Sequence, residues 1–121
     1  MKNMRVAILG YGNIGKSAEQ AVLLAPDMEL VGVYHHNDSL DNVAADVVLI
    51  CTPTREMGRY AELLLEQGVN VVDSFDVHGD ICMHRSCLGA KAVAHRAVSV
   101  VAAGWDPGTD SVMRAMLLAM A

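Results

Sequence analysis

Continuous apolar runs alternate along the chain with stretches in which apolar residues recur every three or four positions. The runs are rich in Val and Ile and do not alternate with polar residues, which is typical of strands buried on both faces of a parallel sheet. They predict five strands, at residues 5–9, 30–34, 46–51, 69–74 and 98–103.

The intervening stretches have the periodicity of amphipathic helices. One apolar stripe comprises Ile14, Ala18, Ala21, Val22 and Ala25, and the second comprises Met57, Tyr60, Ala61, Leu64 and Leu65. The first helix should end before Pro26 and the second before Gly68, since proline breaks a helix and glycine commonly caps one. A third helix is predicted over 79–95, and a fourth after Pro107.

Regular alternation of strand and helix predicts an α/β fold, a doubly wound, mainly parallel five-stranded Rossmann-like sheet flanked by helices. We expect one domain over residues 1–121, with strand order 2-1-3-4-5. Only 11 residues separate Tyr34 from Asp46, which is near the minimum for a parallel crossover, so a short turn of helix is expected there.

Composition narrows the class of protein. The chain has 121 residues, 53% of them hydrophobic, and 9 Lys+Arg against 14 Asp+Glu give a net charge of −5. This excludes a disordered chain and argues against nucleic acid as a partner. The longest apolar run, 97–103, is too short for a membrane span, and segment 1–9 lacks the apolar core of a secretory signal. Three cysteines without a CxxC pair suit reduced thiols, so we expect a cytoplasmic protein.

A glycine-rich turn follows the first predicted strand and opens the first helix. Gly10, Gly12 and Gly15 form a GxGxxG motif, with Asn13 and Ile14 between the last two glycines. In this setting the glycines allow a tight turn, close approach of a pyrophosphate and close helix packing, and the helix N-terminus offers free N–H groups. The motif predicts a dinucleotide site; the alternative is a glycine-rich turn without a ligand.

The end of the second predicted strand bears on which dinucleotide binds. NAD-binding folds place an acidic residue about 20 residues beyond the motif, where it binds the ribose. Here the strand ends in Tyr34, His35 and His36, and Asp38 comes too late. This disfavours NAD and permits a 2′-phosphate, as in NADP, which His35 and His36 could bind. Alternatively, the two histidines are solvated loop residues.

Five segments together resemble the meso-diaminopimelate dehydrogenase family over nearly the whole chain. They are VAILGYGNIG at 6–15, PDMELVGV at 26–33, CTPT at 51–54, VDSFDVH at 72–78 and GWDPGTDS at 104–111. The GxGxxG motif is common to many dinucleotide enzymes, whereas the combination of the last two segments is specific to this family.

The resemblance implies NADP-dependent oxidative deamination of meso-diaminopimelate at its D-centre, giving L-2-amino-6-oxopimelate and ammonia in lysine biosynthesis, by a homodimer. It implies that Asp76 and Asp106 hold the reacting amine, with Trp105 as an apolar wall and N–H donor. The loop along the cofactor would comprise Cys51, Thr52, Pro53 and Thr54.

The chain departs from the family pattern in three respects. His35 and His36 stand where the family usually has two arginines, and segment 37–45 is shorter. The family also continues into a substrate and dimerisation domain that we expect to be absent from this chain. Residues 112–120 are apolar around the single charge of Arg114, so this helix should be covered by segments outside the chain or by another subunit.

Other interpretations of these residues remain open. Asp76 and Asp106 also suit helix N-caps, and Thr52 to Thr54 suit an ordinary helix entry. A second function is an NAD(P)-binding or interaction module that performs no turnover because the substrate domain is missing. A metal site is not expected, because helical spacing separates the residues with zinc-ligand chemistry: His78, Cys82, His84 and Cys87.

Overall fold

A five-stranded, wholly parallel sheet organises the chain in the computed structural model, which describes residues 2–121. Met1, part of the amino-terminal segment considered above, lies outside the described residues. The strands are β1 (Met4–Leu9), β2 (Met28–Tyr34), β3 (Val47–Ile50), β4 (Asn70–Asp73) and β5 (Ser99–Val100). Their order is β2-β1-β3-β4-β5, which confirms the predicted topology and the Rossmann-like α/β class.

Four helices connect or follow the strands. They are α1 (Asn13–Leu24), α2 (Thr54–Glu66), α3 (Ile81–Ala94) and α4 (Thr109–Met120), with a short 3₁₀ turn at His78–Asp80 before α3. The ends of α1 and α2 fall where proline and glycine predicted them. The last strand is shorter than predicted, because only Ser99 and Val100 pair with β4 at this edge of the sheet.

The hydrophobic core lies between the sheet and the helices α2 and α3. Helix α2 turns five side chains inward, as its apolar stripe predicts, and Leu64 and Leu65 are fully buried. Leu88 of α3 and Val48 and Val71 of the sheet complete this layer. The core thereby fixes the carboxyl ends of β1, β3 and β4 relative to one another.

The prediction of a short helical turn between β2 and β3 is wrong. Residues 35–45 form turns instead, because side chains take over the backbone hydrogen bonds that a helix would satisfy. Asp38 accepts a 2.7 Å hydrogen bond from the His35 N–H. Gln67, just after α2, accepts from the Val43 N–H at 3.0 Å and donates to the Leu40 carbonyl at 2.6 Å. The loop is thus anchored to the core by Gln67.

Helix α4 presents its apolar side chains to the surface. Every residue from 111 to 121 is exposed, including Leu117 at 64% and Leu118 at 78%. No other part of the described chain covers this surface. Any segment that covers the apolar residues 112–120 would therefore have to come from elsewhere. Separately, none of the helices within residues 2–121 is long and apolar enough to cross a membrane.

Candidate functional site

A cleft of about 680 Å³ opens at the carboxyl ends of β1, β2 and β3. This is the edge at which open parallel α/β sheets bind ligands. The volume is in the range of small-molecule and cofactor sites. The cleft is lined by Gly10, Tyr11, Gly12, Asn13, Ile14, His35, His36, Cys51, Thr52, Pro53 and Glu56.

The three motif glycines occupy different environments. Gly10 has φ +99°, and a Cβ there would lie 2.7 Å from the Cys51 carbonyl oxygen. A Cβ on Gly15 would lie 2.0 Å from the carbonyl oxygen of Gly10, so Gly15 permits α1 to pack against the turn and does not itself line the cleft. Around Gly12, by contrast, the described chain leaves the Cβ position open to 4 Å. Two glycines therefore allow close packing, and the third leaves room for a ligand.

The amino end of α1 faces the same cleft. The helix begins at Asn13, carries no acidic residue in its first turn, and receives no side-chain capping bond from the described residues. Its first N–H groups and the positive end of its dipole are therefore available to an anion. Together with the open position at Gly12, this is the arrangement that a pyrophosphate requires.

An aromatic and basic cluster borders the cleft beyond β2. The rings of Tyr11 and His35 meet edge to face, with centroids 5.6 Å apart, and Lys16 Nζ lies 5.7 Å from the Tyr11 ring centroid. The Tyr11 hydroxyl donates a 2.7 Å hydrogen bond to Glu19, which raises the pKa of Tyr11. His36 lines the cleft beside His35. The histidines predicted as phosphate ligands thus lie on the wall of the cleft.

The loop between β3 and α2 forms the opposite wall. Cys51, Thr52 and Pro53 line the cleft, and burial raises the pKa of the half-buried Cys51 thiol. Thr54 does not line it; its hydroxyl donates a 2.6 Å hydrogen bond to the Asp76 carboxylate. Glu56, which the sequence analysis did not single out, contributes a carboxylate to the cleft wall.

Asp76 and Asp106 lie on the two segments that follow β4 and β5. Asp106 lies between two basic groups, with Oδ1 3.4 Å from His78 Nε2 and Oδ2 3.9 Å from an Arg114 guanidinium nitrogen. Trp105 beside it is 62% exposed. Helix α3 begins after Asp80 and α4 after Gly108, whose N–H donates to the Ser111 hydroxyl at 3.4 Å, so neither Asp76 nor Asp106 occupies the N-cap position of these helices. The structure therefore gives no support to Asp76 or Asp106 as helix caps.

The sequence analysis missed a buried acid–imidazole interaction beside these segments. His84 Nε2 lies 2.7 Å from Asp73 Oδ2, and both side chains are buried. Cys82 and Cys87 on the same helix are exposed, and the described residues contain no cluster able to hold a metal ion. The available signal was an acidic residue ending the apolar strand β4, which suggests a buried and therefore paired carboxylate.

A smaller cavity of about 160 Å³ adjoins the cleft, with which it shares Ile14 and Cys51. Its remaining walls come from the inner strands and from the residues that follow β4 and β5: Leu49, Ile50, Val72, Asp73, Ser74 and Ala103. The cavity therefore connects the glycine loop to the base of the segments that carry Asp76 and Asp106.

Comparison with known proteins shows which enzymes this chain is similar to. No protein-family model matches the chain. The meso-diaminopimelate D-dehydrogenase of Bacteroides fragilis is 44% identical over 137 aligned positions, which cover 100% of this chain and 46% of the relative. The chain thus spans less than half the length of the curated relatives it matches.

Solved structures show the same relationship. The diaminopimelate dehydrogenase of Corynebacterium glutamicum in complex with DAP matches with a TM-score of 0.76 and 32% identity, over 99% of this chain and 42% of that one. An engineered D-amino acid dehydrogenase bound to NADP+ matches with a TM-score of 0.77 and 32% identity, over 98% and 42%. By sequence and by fold, the chain is therefore a homologue, over its whole length, of the N-terminal domain of meso-diaminopimelate D-dehydrogenases.

Proposed function

We propose that this chain is the NADP-binding domain of a meso-diaminopimelate D-dehydrogenase, which oxidatively deaminates the D-centre of its substrate. The cleft carries the proposal: its glycine loop, helix N-terminus and open position at Gly12 form a pyrophosphate site between two walls. The 44% identity with the Bacteroides fragilis enzyme supports the specific reaction.

The residues of the cleft fit a phosphorylated dinucleotide. Gly12 leaves space where a Cβ would otherwise meet the pyrophosphate, and the α1 N-terminus supplies N–H donors. His35 and His36 lie on the wall beyond β2, where a ribose 2′-phosphate would be bound by imidazole N–H groups. The structure of the engineered D-amino acid dehydrogenase with NADP+ supports NADP as the dinucleotide.

When bound, NADP+ supplies the acceptor for the hydride that leaves the D-centre carbon. The chain's own contribution is to hold the amine and carry away its proton. Asp76 and Asp106 offer carboxylate oxygens, which accept hydrogen bonds from an ammonium or amine, and His78 lies close enough to Asp106 to exchange a proton with it. Trp105 would close one side of the site and exclude water.

The surface of α4 favours a second function for the chain taken alone. Ten consecutive α4 residues, 111–120, are exposed within the described structure, and most are apolar. A domain whose substrate side is open in this way would bind the dinucleotide without efficient turnover. The two functions are distinguished by NADP reduction with meso-diaminopimelate as substrate.

We further propose a homodimer in the cytoplasm as the working form of the enzyme. The exposed apolar surface of α4 supports association with further protein. The three free cysteines, Cys51, Cys82 and Cys87, suit a reducing compartment.

The direct test is calorimetric titration of the chain with NADP. We expect Gly12→Val to lower the affinity at least about tenfold, or ~1.4 kcal/mol, because the new side chain fills the open position. Gly89→Val is the matched control, since a Cβ there also meets none of the described atoms within 4 Å but lies on α3, away from the cleft. Failure of the unaltered chain to bind NADP, or equal binding by Gly12→Val, would contradict the proposal.

A further inference from the structure

Asp73 is the most heavily engaged buried polar residue next to the proposed amine site. It is 1% exposed at the carboxyl end of β4. Its Oδ1 accepts hydrogen bonds from the Phe75 N–H and the Ala102 N–H, both at 3.0 Å, and its Oδ2 lies 2.7 Å from His84 Nε2. Its backbone carbonyl also accepts from the Ala103 N–H at 2.8 Å. One residue thus contacts both segments that leave the sheet here.

These two segments carry the proposed amine ligands. The first runs from Asp73 through Phe75 to Asp76, and the second runs from Ala102 to Trp105 and Asp106. They meet again farther out, where His78 Nε2 lies 3.4 Å from Asp106 Oδ1. The exposed outer contact is weak on general grounds, whereas the inner one is made of two hydrogen bonds, from the Ala102 and Ala103 N–H groups to the buried Asp73. The inner contact is therefore the one able to fix the spacing of the segments.

His84 holds the Asp73 carboxylate in its orientation. Its ring stacks on the Phe75 ring, with centroids 4.0 Å apart and planes 9° from parallel. Gly58 of α2 lies close to the same ring, since a Cβ there would be in ordinary contact with His84 Nδ1 at 3.8 Å. The imidazole is thus in contact with both the Phe75 ring and α2, and rotation of the carboxylate would break its bond to His84.

The backbone at Ala102 shows why the segment after β5 needs this anchor. Ala102 has φ 56°, the left-handed conformation that residues with a side chain rarely adopt. Its N–H donates to Asp73, and the next N–H, of Ala103, donates to the Asp73 carbonyl. These two bonds stabilise the turn that directs the chain from β5 toward Trp105 and Asp106.

We propose that Asp73, oriented by His84, is a positioning residue that sets the spacing of Asp76 and Asp106. The purpose of that spacing rests on the proposed function, in which both carboxylates hold the substrate amine. The positioning itself is a property of this chain and is measurable without substrate. Its failure is therefore distinguishable from failure of the proposed reaction.

The test measures ¹⁵N relaxation of the folded chain at residues 74–78 and 102–106. The main variant is the double substitution Asp73→Leu with His84→Leu, because removing both side chains leaves neither a carboxylate nor an imidazole buried without its partner. We expect backbone order parameters in both segments to fall from about 0.85 to below about 0.6. The single substitution Asp73→Asn keeps an oxygen acceptor, so the order parameters of both segments should stay near about 0.85.

Val71→Ala is the matched control, because Val71 lies on the same strand, is also 1% exposed, and bears no hydrogen bond to either segment through its side chain. It should lower stability without loosening the segments. The proposal is overturned if the folded double variant keeps both segments rigid, or if Val71→Ala loosens them equally. If the double variant does not fold, the unaltered chain is tested by measuring NMR scalar couplings across the hydrogen bonds from the Phe75 and Ala102 amides to the Asp73 carboxyl carbon. Absence of both couplings overturns the proposal.

Discussion

Two regions at the same edge of the sheet are built in different ways. The nucleotide side, formed by the ends of β1, β2 and β3, shapes its cleft largely with backbone, since Gly10 and Gly15 lie against carbonyl oxygens and Gly12 faces open space. The carboxylate side, formed by the segments after β4 and β5, presents Asp106 and Trp105 as partly exposed side chains. The nucleotide side is thus a cleft with walls from both sides of the glycine loop, whereas Trp105 on the carboxylate side is 62% exposed.

This difference shows how the work of binding and reaction is divided. A backbone-lined cleft needs few side chains to bind a common cofactor, so it is complete within a short stretch of sequence. Recognition of an amino-acid substrate needs side chains that converge from several directions. The exposed α4 surface lies on the side where such additional groups would pack.

The largest effect should be seen in turnover. The isolated 121-residue chain should bind NADP yet reduce it with meso-diaminopimelate at least about 10³-fold more slowly than a full-length relative. The reason is that the carboxylate side is exposed and holds the substrate from few directions, whereas correct orientation of the reactants accounts for several kcal/mol of the barrier. Spectrophotometric NADPH formation, with a full-length relative as control, measures this. A rate near that of the relative would show that the carboxylate side is sufficient as it stands.

The next effect compares a buried and an exposed helix. Leu64→Ala on α2 removes a side chain that is 0% exposed and should cost about 2–5 kcal/mol in the free energy of unfolding. Leu118→Ala on α4, at 78% exposure, should stay within about 0.5 kcal/mol. Urea denaturation of both variants gives the two values. A large loss at Leu118 would mean that α4 is covered by a second copy of the chain in solution.

A third prediction concerns the two carboxylates. In a chimera where this chain replaces the matching part of an active relative, Asp76→Asn or Asp106→Asn should lower kcat for meso-diaminopimelate by at least about 10²-fold, because a proton acceptor is lost. NADP affinity should change little, since neither residue lines the cleft. Asp41→Asn, on the exposed loop before β3, is the control. Unfolding of either variant, seen by circular dichroism, would instead assign the carboxylates a structural role.

The smallest effect tests His35 and His36. Both imidazoles lie on the cleft wall, where their N–H groups could bind the 2′-phosphate of NADP, a group that NAD lacks. Replacing both histidines by alanine should therefore lower the ratio of NADP to NAD affinity roughly threefold to tenfold, or ~0.7–1.4 kcal/mol, as calorimetric titration with each dinucleotide would measure. An unchanged ratio would assign the histidines to the solvated loop.

The nucleotide side could be predicted from sequence because its signals are local. The apolar run, the glycine spacing and the helix stripe that starts at Ile14 all lie within about 20 consecutive residues, as the motif requires. The strand order followed from the handedness of crossovers. The turns at 35–45 could not be predicted, since they depend on Gln67, which reaches Val43 from 24 positions away.

The carboxylate side depends on contacts that leave no periodic signal. The Asp73–His84 pair joins residues 11 positions apart on different elements, and the bond to Ala102 spans 29 positions. Sequence patterns assign acidic residues to the surface by default, so a buried carboxylate was not expected there. The roles of Asp76, Asp106 and Trp105 came from the family resemblance and remain predictions.

The cleft also has a consequence for the order in which the protein is made. Its lining residues all fall between Gly10 and Glu56, and the helix that supports its second wall ends at Glu66. A ribosome releases the amino-terminal part of a chain first, and domains generally assemble in that order. The cofactor site therefore leaves the ribosome before β4, β5 and α4 do, and a dinucleotide bound to it would stabilise the nascent domain while the carboxylate side is still inside the ribosome.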